Sequence, residues 1–319
     1  MSDSSLPGVA DVLAAAARIA PHASLTPILR SRELDALSGA QLHFKAEHLQ
    51  RGGAFKFRGA CNAVWALTPE QAERGVVTHS SGNHGAALAL AARTRGIACH
   101  VVVPEGAVAA KLANIGRHGA VLWRCAPTIT DREQRCAQVQ AETGATLVHP
   151  YADAQVIAGQ GTAALELLQA VPGLEALVVP VGGGGLAAGT RLALQHLAPG
   201  CELVLAEPEG AADTARSLAA GERRVDFVPD TVCDGLRGAL GAPNFALLHG
   251  AASVVTVADD AVVAAMRLLW QVTKQTVEPS SAIALAAVLA QPERFAGRNV
   301  GVILSGGNVD IDALPWAAA

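Results

Sequence analysis

The chain has 319 residues, 51% of them hydrophobic and only 16% charged, so it is long enough for one large or two ordinary domains and too apolar for intrinsic disorder. A net charge of −4, a pI of about 6.2 and 3% aromatic residues exclude the basic footprint and stacking platform of a nucleic-acid binder, and equally a surface for anionic lipid. Mean hydropathy is +0.31, but Ala, Gly and Val cause it, and no uninterrupted apolar run approaches the roughly 18 residues of a membrane span.

Met1 to Pro7 lacks a basic stretch and an apolar core, so no secretory signal is expected and the chain reads as a cytoplasmic protein. Val76–His79 predicts a strand and Asn83–Arg95 a helix; Ala98–Val103 a strand and Ala109–His118 a helix; Val121–Trp123 a strand and Thr130–Thr143 a helix. The alternation returns with strands at Ala176–Val181 and Leu203–Ala206 flanking a helix over Leu186–Leu197. Ser253–Val257 then precedes helices at Asp259–Thr273 and Ser280–Leu289, and Asn299–Leu304 closes the series. Strand and helix alternating at this spacing predict an α/β fold with parallel sheets covered by helices. The least periodic stretch, Gly221–Asn244, reads as a long ordered loop. No Pro/Ser linker marks a domain seam, and no repeat of 20 to 50 residues suggests a solenoid.

The cysteines (Cys61, Cys99, Cys125, Cys136, Cys201, Cys233) are scattered without C-x-x-C or paired Cys/His spacing, which argues against disulfides and structural zinc. Lysines are only Lys45, Lys56, Lys111 and Lys274, a short list when a nucleophilic amine is sought.

Three glycine-rich turns follow predicted strands, where ligands bind in open parallel sheets. Ser80-Ser81-Gly82-Asn83-His84-Gly85 offers hydroxyls and N–H groups at a helix start, an anion site or simply a cap. Gly182-Gly183-Gly184-Gly185 is neither G-x-G-x-x-G nor a Walker sequence; it fits a phosphate cradled by successive N–H groups, or a tight turn with close helix packing. Ser305-Gly306-Gly307-Asn308 is the third. A fourth feature, Gly52-Gly53-Ala54-Phe55-Lys56-Phe57-Arg58-Gly59, sets Lys56 between two Phe residues, where desolvation would favour the neutral amine that forms Schiff bases; a snorkelling surface lysine is the alternative. An amine, an anion turn and a phosphate cradle are together what pyridoxal 5′-phosphate requires.

Lys45-Ala46-Glu47, Leu49-Gln50-Arg51 and Phe55-Lys56-Phe57-Arg58-Gly59-Ala60, followed in order by the three glycine-rich turns, resemble the fold type II (tryptophan-synthase-β-like) pyridoxal-phosphate enzymes from about Leu25 to Asp310. Within that family the motifs are most similar to the threonine dehydratase and serine racemase branch. The resemblance implies two open parallel-sheet domains with the cofactor in the cleft between them. Residues 1–71 plus 150–319 would form a large domain, and 72–149 a small inserted one; closure of the small domain on substrate is a further hypothesis. It implies that Lys56 forms the Schiff base and shuttles the α-proton, and that Phe55 packs beside the cofactor. Asn83 would reach the ring hydroxyl, and Ser80, Ser81, Gly82, Asn83 and His84 the substrate carboxylate. Gly182, Gly183, Gly184, Gly185 and Leu186 would bind the phosphate and Ser305 the pyridine nitrogen. A neutral hydroxyl at that nitrogen weakens the electron sink and favours β-elimination. Ser81 matches the residue that, in serine racemases, exchanges the proton on the face opposite Lys56.

Glu207-Pro208-Glu209-Gly210-Ala211-Ala212-Asp213 resembles the cation site of serine racemases, which implies Glu207, Asp213 and the Ala211 carbonyl as ligands of Mg²⁺, Ca²⁺ or Mn²⁺; a charged turn is the alternative. Departures are Ala54 in place of a common Ser, and Gly238 in Cys233-Asp234-Gly235-Leu236-Arg237-Gly238, where relatives often carry a hydroxyl. Arg237 is the candidate for pairing with a second substrate carboxylate, as in 3-hydroxyaspartate, or else a solvated surface arginine. With the chain ending at Ala319, no regulatory domain is expected.

The expected activity is that of an ammonia-lyase (dehydratase) on threonine, serine or 3-hydroxyaspartate, giving a 2-oxo acid and ammonia, in a homodimer. The alternatives are a serine or aspartate racemase on the same scaffold and, more remotely, a non-catalytic amino-acid-binding protein.

Overall fold

The short apolar runs Ala176–Val179, Val300–Leu304 and Val101–Val103 become central strands of two separate sheets. The computed structural model describes residues 6–316; residues 1–5, within the Met1–Pro7 stretch read for a targeting signal, lie outside them. Ten strands are formed: β1 (Ile28–Leu29), β2 (Gln41–Ala46), β3 (Val76–Thr78), β4 (Cys99–Pro104), β5 (Val121–Cys125), β6 (Thr146–Leu147), β7 (Ala176–Pro180), β8 (Glu202–Pro208), β9 (Ser253–Val257) and β10 (Asn299–Leu304). The larger sheet has the order β1-β2-β10-β7-β8-β9 and is parallel except for β1; the smaller, β5-β4-β3-β6, is wholly parallel. Every residue of β7 is buried, as expected of a strand with helices on both faces.

Each face of the larger sheet has its own core. Phe44, Met266, Ile283 and Val302 lie on one side, and Ile157, Leu177, Leu186 and Leu205 on the other. In the smaller sheet Val76, Val101 and Val103 pack against the Asn83–Arg95 helix, and Val77 and Val102 against Cys136 and Val139. The Lys56–Ala66 helix buries Phe57, Ala60, Cys61 and Val64 in this same core of the smaller sheet. All six cysteines are free, five of them buried. Among the described residues no helix is long and apolar enough to cross a membrane.

The longest helix, Ala154–Ala170, is absent from the sequence reading because it lacks a polar face: Val156 to Leu165 are buried without a break. Asp153 caps it by accepting from Gln155 and Val156 N–H at 2.7 and 3.0 Å. It lies between the Lys56–Ala66 helix and the Gly185–Leu197 helix, and touches both through glycines. A Cβ on Gly159 would stand 2.6 Å from Gly59 Cα, and one on Gly161 2.6 Å from Gly189 O.

Candidate active site

Lys56 opens its helix behind a turn through Gly52 and Gly53, both at φ 74°. Phe55 N–H donates to Ser305 O at 2.9 Å and Ala54 bridges to Gly306, which joins the lysine segment to the turn after β10. Gly59 N–H donates to Gln160 Oε1 at 3.1 Å, so the start of the helix is held from two sides. The Lys56 Nζ donates to Pro150 O at 2.9 Å and lies 5.2 Å from the centre of the Phe55 ring. Removal from water lowers its pKa to about 8, with the Glu278 carboxylate pulling the other way. The half-buried amine is tied to the main chain rather than carried out to solvent as a snorkelling lysine would be.

The turn after β3 runs into the Asn83–Arg95 helix with Gly82 at the cap position and no side-chain cap, so neither serine is used as one. Ser80 Oγ is 3.4 Å from Gly82 N, and Ser81 is half-buried with no hydrogen-bond partner for its hydroxyl among the described residues. The N–H groups of Ser81, Asn83, His84 and Gly85 likewise meet no protein acceptor, which suits an anion at the helix N-terminus. His84 turns inward: Nε2–H donates to Val148 O at 3.3 Å, and burial beside Lys56 holds the ring neutral, well below its usual pKa.

Asn83 Nδ2 donates to both oxygens of Glu278, at 2.9 and 3.1 Å, while its Oδ1 accepts from Asn308 Nδ2 at 3.0 Å. Desolvation pushes the Glu278 carboxyl up to about 7 despite the Asn83 amide. Glu278, absent from the sequence reading, precedes Pro279 at the start of a helix. An acid before a helix-opening proline is an ordinary capping pattern, so nothing in the sequence sets it apart. Ser305, 3% exposed, lies beside it with Oγ 3.4 Å from Ser280 O.

The four glycines after β7 are required by the protein's own packing. A Cβ at Gly182 would meet Leu236 Cα at 2.7 Å, one at Gly183 the Tyr151 ring at 2.3 Å, and one at Gly184 the Leu240 side chain at 2.6 Å; Gly184 is also left-handed at φ 87°. With side chains excluded, the N–H groups from Gly182 to Ala187 have no protein acceptor among the described residues and gather at the N-terminus of the Gly185–Leu197 helix. Close packing, one of the two readings of the sequence, is what these glycines show, and the free N–H groups beside it are of the kind that the other reading requires. The residues fit pyridoxal 5′-phosphate: a desolvated amine, a phosphate-sized N–H cradle and a buried hydroxyl. Tyr151, Pro150 and Asn244, whose Nδ2 donates to Tyr151 O at 2.9 Å, complete this region and carried no sequence signal of their own.

Glu207 and Asp213 both sit in the interior, where desolvation raises their carboxyls to about 7 and about 6. Glu207 already receives Thr214 and Ala215 N–H at 2.7 and 2.8 Å, which caps the Asp213–Ala220 helix. Asp213 Oδ2 accepts from Leu240 N–H at 2.8 Å, but its Oδ1 is buried without a partner. Two buried carboxylates with no cationic partner in hydrogen-bond contact and one orphaned oxygen, Asp213 Oδ1, fit a hard cation, although no three His, Cys, Asp or Glu side chains converge among the described residues. Arg237 is exposed, and its guanidinium donates to Thr231 O at 2.6 and 3.2 Å.

A family model described as "Pyridoxal-phosphate dependent enzyme" matches residues 19–306. The chain is 50% identical to a beta-hydroxyaspartate dehydratase of Paracoccus denitrificans (strain Pd 1222) over 98% of this chain and 99% of that one. It is 47% identical to a serine racemase of Arabidopsis thaliana over 93% and 92% of the two chains. Maize serine racemase superposes with a TM-score of 0.94 at 42% identity, covering 97% of this chain and 95% of the other.

Proposed function

The chain belongs to the pyridoxal-phosphate-dependent enzymes, and from that premise we propose that it is an ammonia-lyase acting on 3-hydroxyaspartate or a close β-hydroxy amino acid. The observation that carries this reading is Lys56, an amine lowered to about 8 and aimed at Pro150 O beside a cradle of free N–H groups. The relative named for hydroxyaspartate supports that substrate over serine and threonine.

Lys56 would hold the cofactor covalently, with the N–H groups of Gly182–Gly185 and Leu186 on its phosphate, Phe55 beside the ring, Asn83 near the ring hydroxyl and Ser305 Oγ at the pyridine nitrogen. Pyridoxal 5′-phosphate, when bound, supplies the electron sink for a carbanion at Cα. The turn from Ser80 to His84 orients the substrate carboxylate, His84 through its main-chain N–H because its ring is engaged with Val148. Once free, Lys56 Nζ takes the α-proton; a pKa near the working pH suits both the uptake and the return of a proton. Loss of hydroxide from Cβ leaves an enamine, which water hydrolyses to the 2-oxo acid and ammonia. Arg237 spends Nε and one Nη2 N–H on Thr231 O, which leaves its Nη1 donors to meet a second substrate carboxylate.

The racemase reading rests on Ser81, whose hydroxyl is not engaged elsewhere. Ser81→Ala should abolish racemisation while sparing elimination; equal loss of both removes the reading. A Mg²⁺ ion at Glu207, Asp213 and the Ala211 carbonyl, a cytoplasmic setting and a homodimer, with residues 72–149 as the small domain, belong to the same proposal. Added Mg²⁺ should raise the melting temperature of the wild type and leave Asp213→Ala unmoved.

The function is tested by the absorbance spectrum of the purified protein, followed by 2-oxo acid release from a panel of β-hydroxy amino acids. A band near the visible edge that is lost in Lys56→Ala, with 3-hydroxyaspartate the fastest substrate, is the expected result. A colourless protein that the cofactor cannot reconstitute overturns it.

A further inference from the structure

His149 lies outside every motif that the proposed chemistry uses, yet the turn it builds touches both ends of the site. Its Nδ1 accepts two main-chain N–H groups, from Tyr151 at 3.3 Å and Ala152 at 3.0 Å. An imidazole nitrogen that accepts must carry a lone pair, so the proton resides on Nε2. The ring is packed edge-on against His79 (centroids 5.2 Å, 77°) and against Tyr151 (4.6 Å, 86°). Burial, then the neighbouring His79 and Lys56, drive its pKa down to about 3, which keeps the accepting lone pair available at any working pH.

The turn held in this way presents two groups to the site. Pro150 O receives the Lys56 ammonium at 2.9 Å. The Tyr151 ring covers Gly183, where no Cβ would fit, and Asn244 Nδ2 fastens Tyr151 O to the same region at 2.9 Å and bonds Gly183 O as well. One neutral imidazole therefore fixes the acceptor for the amine and the wall of the glycine cradle together.

We propose that His149 is a positioning residue, whose imidazole sets the Pro150–Ala152 turn so that Lys56 and the Gly182–Gly185 loop are aligned to receive one ligand. The inference rests on the reading of Lys56 as the cofactor lysine. It predicts that capture of an aldehyde by Lys56 depends on an acceptor at position 149 and not on a titrating group there.

The experiment uses cofactor-stripped protein and two probes, pyridoxal 5′-phosphate and pyridoxal without phosphate. Covalent capture is followed by absorbance, and borohydride reduction with peptide mass analysis locates the adduct at Lys56. His149→Leu removes the acceptor, while His149→Asn offers Oδ1 in its place. In the Leu variant both probes should be captured on the order of tenfold more slowly, the effect of a lost hydrogen-bond acceptor, and Asn should recover most of that loss. A folded Leu variant that captures both probes at the wild-type rate overturns the proposal, as does slowing of the phosphate probe alone. If the Leu variant does not fold, the Asn variant decides: near wild-type capture supports the role, and a tenfold loss overturns it. If wild type takes up neither probe at Lys56, the functional reading itself falls and this inference with it, an outcome distinct from the others.

Discussion

Asn83, at the start of the helix that follows β3 in the smaller sheet, donates its amide to both carboxylate oxygens of Glu278, which precedes a core helix of the larger sheet. The contact joins the two sheets across the mouth of the glycine-rich turns. It also puts an acid whose pKa is about 7 next to the lysine of the site.

That acid should make the stability of the cofactor-free protein depend on pH. The carboxyl rises from 4.5 to about 7 on folding, so its contribution is fully present below pH 4.5 and is lost as pH climbs through about 7. Glu207 and Asp213 shift in the same direction, and a single variant separates their effects. In denaturant unfolding across this range, Glu278→Gln should flatten the decline by at most ~3 kcal/mol. Parallel curves for variant and wild type would show that Glu278 is ionised at neutral pH in the folded protein.

Lys56 leads to a kinetic prediction. Only the neutral amine attacks an aldehyde, so capture of pyridoxal 5′-phosphate by stripped protein should accelerate with pH and level off above about 8. The ordinary lysine value of 10.5 would leave the rate still rising at pH 10. Stopped-flow absorbance between pH 6 and 10 distinguishes the two, and Lys56→Ala should show no capture at all.

Helix contacts through glycine make a stability test. At Gly161 a Cβ would stand 2.6 Å from the carbonyl of Gly189, whereas at Gly116, also helical, it meets nothing within 4 Å. Gly161→Ala should destabilise by ~1–3 kcal/mol through overpacking, and Gly116→Ala should be neutral or stabilise by up to ~1 kcal/mol. Equal midpoints in urea for the two variants would mean that the helices separate at little cost.

Lys111, on a helix of the smaller sheet, pairs with Asp234 in the connection between β8 and β9. Both side chains are near half exposed (42% and 44%), so the pair stabilises by under ~1 kcal/mol, and less in salt. Lys111→Ala should leave the melting temperature nearly unchanged. If the pair fastens a closing cleft, small-angle scattering should show compaction on addition of a substrate analogue in wild type and less of it in the variant. An unchanged wild-type profile counts against closure.

Much of this architecture was legible because its signals are periodic or local. Asn83–Arg95, Ser253–Val257, Asp259–Thr273 and Asn299–Leu304 form as their patterns predict, and the glycine-rich turns follow their strands. Hidden from the sequence were elements whose environment is wholly interior. The Gln41–Ala46 strand and the Ala154–Ala170 helix have almost no exposed face to create a period, and Glu278 differs from a capping acid only by what folds around it. His149 was silent for a related reason. A histidine that serves as a neutral acceptor leaves no chemical pattern in its neighbours.

The glycine contacts along Ala154–Ala170 also govern tolerance to change. Gly59 meets Gly159, and Gly161 meets Gly189, so the separation between the lysine helix and the glycine-loop helix is measured out in main-chain atoms. Side chains in the surrounding cores can drift and repack without altering that gauge. A chain built this way is free to vary what lines its cleft, and so which molecule it accepts, while the span between amine and cradle stays the same.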